Sequence, residues 1–260
     1  MRTFLLQLRA LVRLSFLELW RRNDVFGLLV FALALLVPLS TAKPFGAAGA
    51  SRYLDEVALL LIWGFSLFIS LGTGARLFPP EFASRTIYPL LARPISRGLL
   101  LVGKYLGAVA SSWSALALFY LLFAMSTGLR GGSWFSSDLL QAFILHLGFV
   151  ALAVALSLLF SLLAAGSVGH ILSTVTVLVM FFYGRMLPEL AETAAPPASW
   201  IGKLAYVVAP HVEFFDLRQR VIHGWGGVEP VVLIAVLLYA VVYVTVLLGL
   251  AAWILGRKRV

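Results

Sequence analysis

Long apolar stretches alternate along the chain with short polar ones. Residues 25–42, 57–78, 105–127, 139–165, 170–187 and 230–255 are each apolar over the length at which a helix crosses about 30 Å of hydrocarbon. The pattern predicts an all-α polytopic membrane protein with six transmembrane helices. The run from Leu139 to Arg185 has no Lys, Arg, Asp or Glu before Arg185 and is too long for one helix. Gly166, Ser167, Val168 and Gly169 supply the turn that divides it. In residues 1–24, Leu5, Leu8, Val12, Phe16 and Leu19 follow helical spacing while Arg2, Arg9 and Arg13 fall on another side. That pattern describes an amphipathic helix lying in the membrane interface. Arg9 and Arg13 interrupt what would otherwise resemble a signal-peptide core, so no cleavable signal is expected.

Two polar segments remain, and the second is the longer. Residues 79–104 read PPEFASRTIYPLLARPISRGLLLVGK, with prolines at 79, 80, 89 and 94. Proline at those points breaks the segment into short helices, with Pro79 and Pro80 closing the second span and Glu81 and Ser84 at first-turn and cap positions. The outer segment, 188–229, carries the apolar stretch Ser199 to Ala209, which is too short to span a bilayer and reads as a re-entrant or interfacial helix. The sequence HVEFFDLRQRVIHG follows, with Val212, Phe214, Phe215, Leu217 and Val221 giving one apolar side and Asp216 and Arg220 spaced as an i, i+4 pair. Together these pieces predict a short helical hairpin at the outer surface.

Composition narrows the function. The chain is 62% hydrophobic and 12% charged, with a mean hydropathy of +1.00, against roughly half apolar and a quarter charged in soluble domains. A water-soluble enzyme is thereby disfavoured. Cysteine is absent, which removes disulfides, thiolate zinc sites and cysteine nucleophiles. The net charge of +9 is explained by topology without a nucleic-acid partner. With both termini inside, the inner segments hold 13 basic residues and the acids Glu18, Asp24 and Glu81, while the outer segments hold 7 basic and 8 acidic residues. The positive-inside rule then places both termini, including the basic tail 256–260, in the cytoplasm.

The order of residues in the inner segment is informative. Glu81, Thr86, Leu90, Leu91, Pro94, Ile95, Ser96, Arg97, Gly103 and Lys104 resemble the loop between the second and third spans of permease subunits of ABC type-2 exporters. Arg85 departs from that family's usual glycine before the threonine. The six-span layout, the basic amphipathic N-terminus and the long loop before the last span are similar too. The resemblance implies a coupling helix within 79–104 that seats in a cytoplasmic ATP-binding cassette ATPase through Glu81, Arg85, Thr86, Arg93, Pro94, Ser96, Arg97 and Lys104, braced by Arg9 and Arg13. It implies ATP and Mg²⁺ on that ATPase, with no cofactor bound by this chain. A second copy of the permease would complete a path bordered by the second and fifth spans, where Phe181, Phe182 and Tyr183 lie, and the outer elements would close its exit. The expected setting is the cytoplasmic (inner) membrane, and a periplasmic protein is an alternative further partner.

Competing motifs are weaker. Gly98, Gly103 and Lys104 satisfy G-x-x-x-x-G-K, but Tyr105 stands where Ser or Thr should reach magnesium and the intervening residues are Leu, Leu, Leu and Val. A membrane-entry helix explains them better than a phosphate loop. Gly103 and Gly107 form a small-residue pair suited to close helix packing. His146 and His170 lie in or beside apolar spans without a second ligand at metal spacing on the same helix, so hydrogen-bonded packing is their expected role. No H-E-x-x-H helix, G-x-S-x-G elbow or intramembrane carboxylate pair is present. A self-contained secondary carrier is the first alternative, although the six spans contain no Asp or Glu. The second is a membrane subunit that relays ATPase motion to a periplasmic partner without transporting.

Overall fold

The computed structural model of the chain describes residues 2–20, 50–84, 96–164, 167–184 and 195–258, together with Val30, Met186, Glu189, Glu192 and Thr193. Their regular elements are all helical: α1 (Arg2–Trp20), α2 (Ala50–Ala75), α3 (Pro79–Ala83), α4 (Arg97–Leu129), α5 (Ser137–Leu163), α6 (Ser167–Tyr183), α7 (Ala198–Val208), a 3₁₀ turn (Val212–Phe215), α8 (Arg218–His223) and α9 (Pro230–Arg257). Among the described residues, four stretches are long and apolar enough to cross a membrane: Arg52–Ala83, Arg97–Leu129, Ser137–Leu163 and Pro230–Arg257. They correspond to the second, third, fourth and sixth expected spans. The fifth is α6, whose 17 residues measure about 25 Å and fall short of the hydrocarbon thickness. The first, 25–42, lies outside the described residues.

The helices begin earlier than the apolar runs. Residue 105 was the expected start of the third span, yet α4 begins at Arg97, where the Ser96 hydroxyl accepts from the Leu99 N–H at 3.2 Å. Likewise α2 starts at Ala50 rather than at residue 57 and carries Asp55 and Glu56. Hydrophobic periodicity reports which turns meet an apolar medium, while the cap decides where the backbone turns begin. At α3, Pro79 occupies the first turn with Glu81. Ser84 is a C-cap, and its hydroxyl donates to the Pro80 carbonyl at 2.7 Å, in place of the expected N-terminal role.

Helix α5 is the axis of the bundle. Val150, Leu152, Ala153, Val154, Ala155 and Leu158 are all fully buried, as expected of a helix apolar on every side. It packs against α2, α4, α6 and α9. Small residues set the spacing: a Cβ at Gly74 of α2 would lie 2.7 Å from the Ser157 Cβ and from the Val154 carbonyl oxygen. Close backbones let short hydroxyls bridge helices. The Ser157 hydroxyl donates to the Leu71 carbonyl at 2.7 Å, Thr73 and Ser112 meet at 3.1 Å, and Tyr105 donates to the Ala151 carbonyl at 3.1 Å.

The glycine pair of α4 receives α1. Leu11 Cβ sits where a Cβ on Gly103 would be, 2.7 Å away, and Ser15 Cβ stands in the same relation to Gly107 at 2.6 Å. Each contact advances four residues in both helices, so α1 and α4 run in the same direction here. Leu11, Ser15 and Leu19 are buried on this face, whereas Leu5, expected on it, is exposed. Polar Ser15 belongs to the packed face because Gly107 leaves room for nothing larger.

The segment before α9 is sunk into the bundle. The His211 N–H donates to the Tyr239 hydroxyl at 2.7 Å, and the Tyr243 hydroxyl donates to the Ala209 carbonyl at 3.3 Å. Tyr239 and Tyr243 lie about 14 and 20 Å along α9 from Pro230. Val212 and Phe215 are buried, and Phe215 lies 6.3 Å from Phe149 of α5. This corrects the expected surface hairpin: the second piece is a 3₁₀ turn and a short helix, and the turn is core. Asp216 pairs with Arg218, two residues on, through bonds of 2.9 and 2.8 Å, rather than with Arg220, which turns to the Gly226 carbonyl at 3.4 Å. Proximity decides this, since Arg218 at the start of α8 reaches back to the carboxylate that receives its own N–H at 3.1 Å.

Leucine at position 107 should overpack the α1–α4 contact and cost about 1–3 kcal/mol. Gly107→Leu is therefore expected to lower the unfolding temperature in detergent and to raise amide exchange across residues 2–20. Unchanged exchange there would show that α1 does not depend on this contact.

Candidate functional site

Two neighbourhoods gather the chemistry-bearing side chains. At the end of the bundle where α2 finishes and α4 starts, the Lys104 side chain is 7% exposed and forms an ion pair with Glu81 of α3. Its ammonium also donates to the Leu77 carbonyl at 2.8 Å and lies 5.1 Å from the centre of the Phe78 ring. A buried ammonium requires such partners, because desolvation of an unpaired charge costs several kcal/mol. Nearby, one Arg97 nitrogen donates to the carbonyls of Leu255, Gly256 and Lys258 at 3.1, 3.0 and 3.1 Å. These are end carbonyls of α9, which have no partner within their own helix. Lys258 in turn lies 4.9 Å from the centre of the Phe82 ring.

The second neighbourhood is aromatic and lies between α2, α5 and α6. Trp63 stacks on His146 at 4.4 Å and on Phe149 at 4.7 Å. The Arg218 guanidinium sits over Trp63 at 5.3 Å and over Phe181 at 5.4 Å, a favourable cation–π arrangement. Trp63, Phe149 and Phe181 line a cavity of about 220 Å³ together with Arg218 and the exposed Leu60, Leu178 and Phe182. Below it, fully buried His146 is held on both nitrogens, by Ser66 at 2.7 Å and Tyr120 at 3.1 Å. The Ser66 hydroxyl donates to the Trp63 carbonyl at 2.9 Å. All three groups are satisfied when Tyr120 donates to Nδ1 and Nε2–H donates to Ser66, which assigns a neutral ring from the network. Hydrogen-bonded packing is thus the role the structure gives His146. His170 packs its ring edge on Phe68, with Nδ1 buried and unpaired among the described residues.

The residues expected from the sequence divide as follows. Glu81 and Lys104 are brought together, and Arg97 is turned onto α9. Ser96 caps α4 and is itself exposed. Arg85, Thr86, Arg93 and Pro94 lie outside the described residues. Arg9 and Arg13 are exposed on α1. Phe181 and Phe182 line the cavity, and Tyr183 ends α6. The spacing Gly98–Lys104 lies wholly within α4, on the helix expected at the membrane entry.

The pattern of the ABC-2 family transporter protein matches residues 46–260. The chain belongs to the ABC-2 transporter family. No curated protein matches it. It is therefore an ABC type-2 permease, the multi-pass membrane component of an ABC transporter, and the family implies a partner ATP-binding subunit. Within this ABC-2 permease, sequence reasoning missed Trp63 and Arg218. An aromatic inside a span has no signature of its own, and Arg218 was read as part of a surface hairpin. The available signal was Asp216 two residues before Arg218, next to an apolar stretch.

Removing one partner of the buried ion pair leaves an uncompensated charge, a loss of about 3–5 kcal/mol. Glu81→Ala in this permease should thus destabilise far more than Glu81→Ala combined with Lys104→Met. Thermal unfolding of the two single variants and the double variant in detergent measures the coupling, and additive losses would mean that the pair is not formed.

Proposed function

We propose that this ABC-2 permease forms the translocation path of an exporter and is driven by a separate cytoplasmic ATPase that docks on residues 79–104. ATP and Mg²⁺ belong to that ATPase, and this chain hydrolyses nothing. Two copies face each other across the path in the cytoplasmic membrane, with their termini in the cytoplasm and α1 at the inner interface. The observation that carries the reading is the basic-end clamp. α3 is fastened to α4 by Glu81 and Lys104 and to the end of α9 through Phe82 and Lys258. A segment so held passes a push to both helices instead of absorbing it, which is what coupling to an external motor requires. Arg85 and Arg93, charged and beside the clamp in sequence, supply the docking surface.

The depth of residues 207–217 supports a path closed from the other end. They meet α9 about 14–20 Å from its first residue, which in a bilayer makes this segment re-entrant. Arg218, the next residue, lines the aromatic cavity together with Phe181 and Phe182, which serve as path residues. A mostly apolar wall suits an amphiphile.

One observation favours a second reading, the self-contained carrier. Residues 207–217 bring Glu213 to mid-bundle depth, 3.5 Å from His211, with its second carboxylate oxygen buried and unpaired among the described residues. A carrier would therefore have an acid to use.

The test is co-purification of the permease in nanodiscs with the ATPase encoded beside it. The pair should hydrolyse ATP and the permease alone should not. Arg85→Glu with Arg93→Glu should weaken ATPase retention about tenfold or more, as expected for charge reversal at a docking surface. Retention unaffected by the reversal, combined with proton-driven uptake by the permease alone that is lost in Glu213→Gln, would establish the carrier instead.

A further inference from the structure

We infer that α9 is the transmission rod of this permease and that Arg97 is the positioning residue that fastens the rod to the driven end. The inference rests on the coupling reading above. At the basic end, Arg97 bridges the carbonyls of Leu255, Gly256 and Lys258 from 158 to 161 residues away in sequence. The end of a helix carries about half a negative charge on unpaired carbonyls. One guanidinium nitrogen set against three of them holds that end by charge as well as by hydrogen bonds. The contacts close into a ring: Arg97 of α4 to the end of α9, Lys258 over Phe82 of α3 at 4.9 Å, and Glu81 of α3 back to Lys104 of α4. A displacement of α3 therefore reaches the end of α9 without crossing the apolar core.

Near its middle α9 holds the segment that leads into Arg218, which lines the cavity. Tyr243 donates to the Ala209 carbonyl at 3.3 Å, and Tyr239 receives the His211 N–H at 2.7 Å. Tyr239 also contacts Phe214 at 5.7 Å and Phe215 at 6.3 Å. Leu255 and Tyr243 are 12 residues apart on one unbroken helix, about 18 Å. An unbroken helix transmits an axial shift over that distance with little loss. Most of the surface of α9 from Val231 to Leu250 faces away from the bundle, which leaves α5 as its main packing partner. The basic end thus drives the segment before Arg218 through a single element, and Arg97 acts through α9 with no contact to a transported molecule.

The experiment compares amide exchange at residues 207–217 with and without ATP in the permease–ATPase complex. In the wild-type complex ATP should change exchange there. Arg97→Ala should retain the ATPase within about twofold yet reduce the ATP-dependent change about tenfold, the size of an ordinary coupling between sites. Arg97→Lys should restore part of it, since an ammonium still reaches these carbonyls, a rescue that loss of fold would not show. Tyr239→Phe combined with Tyr243→Phe, which removes both hydroxyls that tie α9 to residues 207–217, should reduce the change strongly while leaving exchange at 255–258 as in wild type. A full ATP-dependent change in either Arg97→Ala or the double tyrosine variant overturns the inference, and loss of the ATPase in Arg97→Ala makes Arg97 a docking residue instead. If no ATPase binds the wild-type permease, the coupling reading itself fails. The ring is then tested alone by linking Phe82→Cys to Lys258→Cys with a bismaleimide about as long as the two side chains they replace, in a chain with no native cysteine, and absence of the cross-link overturns it.

Discussion

A polar group buried in an apolar bundle finds its partner within the chain or remains unsatisfied at a cost of a few kcal/mol, and this constraint fixes how α2, α4 and α5 sit together. Ser66, Tyr120 and His146 form one thread, and Thr73 with Ser112 and Ser157 with the Leu71 carbonyl form others. Each thread works at one register of the helices only. Leucines alone would tolerate sliding, because lipid tails are as apolar as they are. The hydroxyls make one arrangement better than its neighbours, and Gly74 lets the backbones come close enough to use them.

The same constraint acts on full charges at the basic end. Lys104 is about two turns into α4, and only a carboxylate with a carbonyl makes that position tolerable. Glu81 is supplied by a short helix that Pro79 starts soon after α2 has ended. The ion pair therefore fixes where α3 lies. Arg97 extends the arrangement to α9, whose end carbonyls need donors as much as the arginine needs acceptors. Stability of the fold and rigidity of this segment have one physical origin here.

At mid-bundle the arginine is handled differently. Arg218 is matched to Asp216 and laid between Trp63 and Phe181, so its charge is compensated by a carboxylate and two π-faces. A cavity that is apolar apart from this one pair has little attraction for a small ion and much for a hydrophobic or amphiphilic molecule. Among the described residues Glu213 is paired with His211, and its second carboxylate oxygen is buried without a partner.

Much of the architecture was legible in the chain, because hydrocarbon length and helical rise are fixed quantities. Four of the six expected spans are helices of the required length, and the packing use of Gly103 and Gly107 was visible in their spacing. The order Glu81, Pro94, Ser96, Arg97, Gly103, Lys104 pointed to the family that the match over residues 46–260 shows. What the tertiary structure alone decided is which charges face each other. Lys104 and Arg97 are both basic residues beside a proline-rich loop, indistinguishable by pattern, yet one pairs with Glu81 and the other caps a helix more than 150 residues away. Likewise, an apolar stretch of 11 residues says that it cannot span a membrane, and says nothing of where it lies. Tyr239 and Tyr243 draw the residues that follow it into the bundle. Local pattern determines what a segment can be, because backbone geometry and solvent act residue by residue. Partners distant in sequence are chosen only when folding brings them within hydrogen-bond reach.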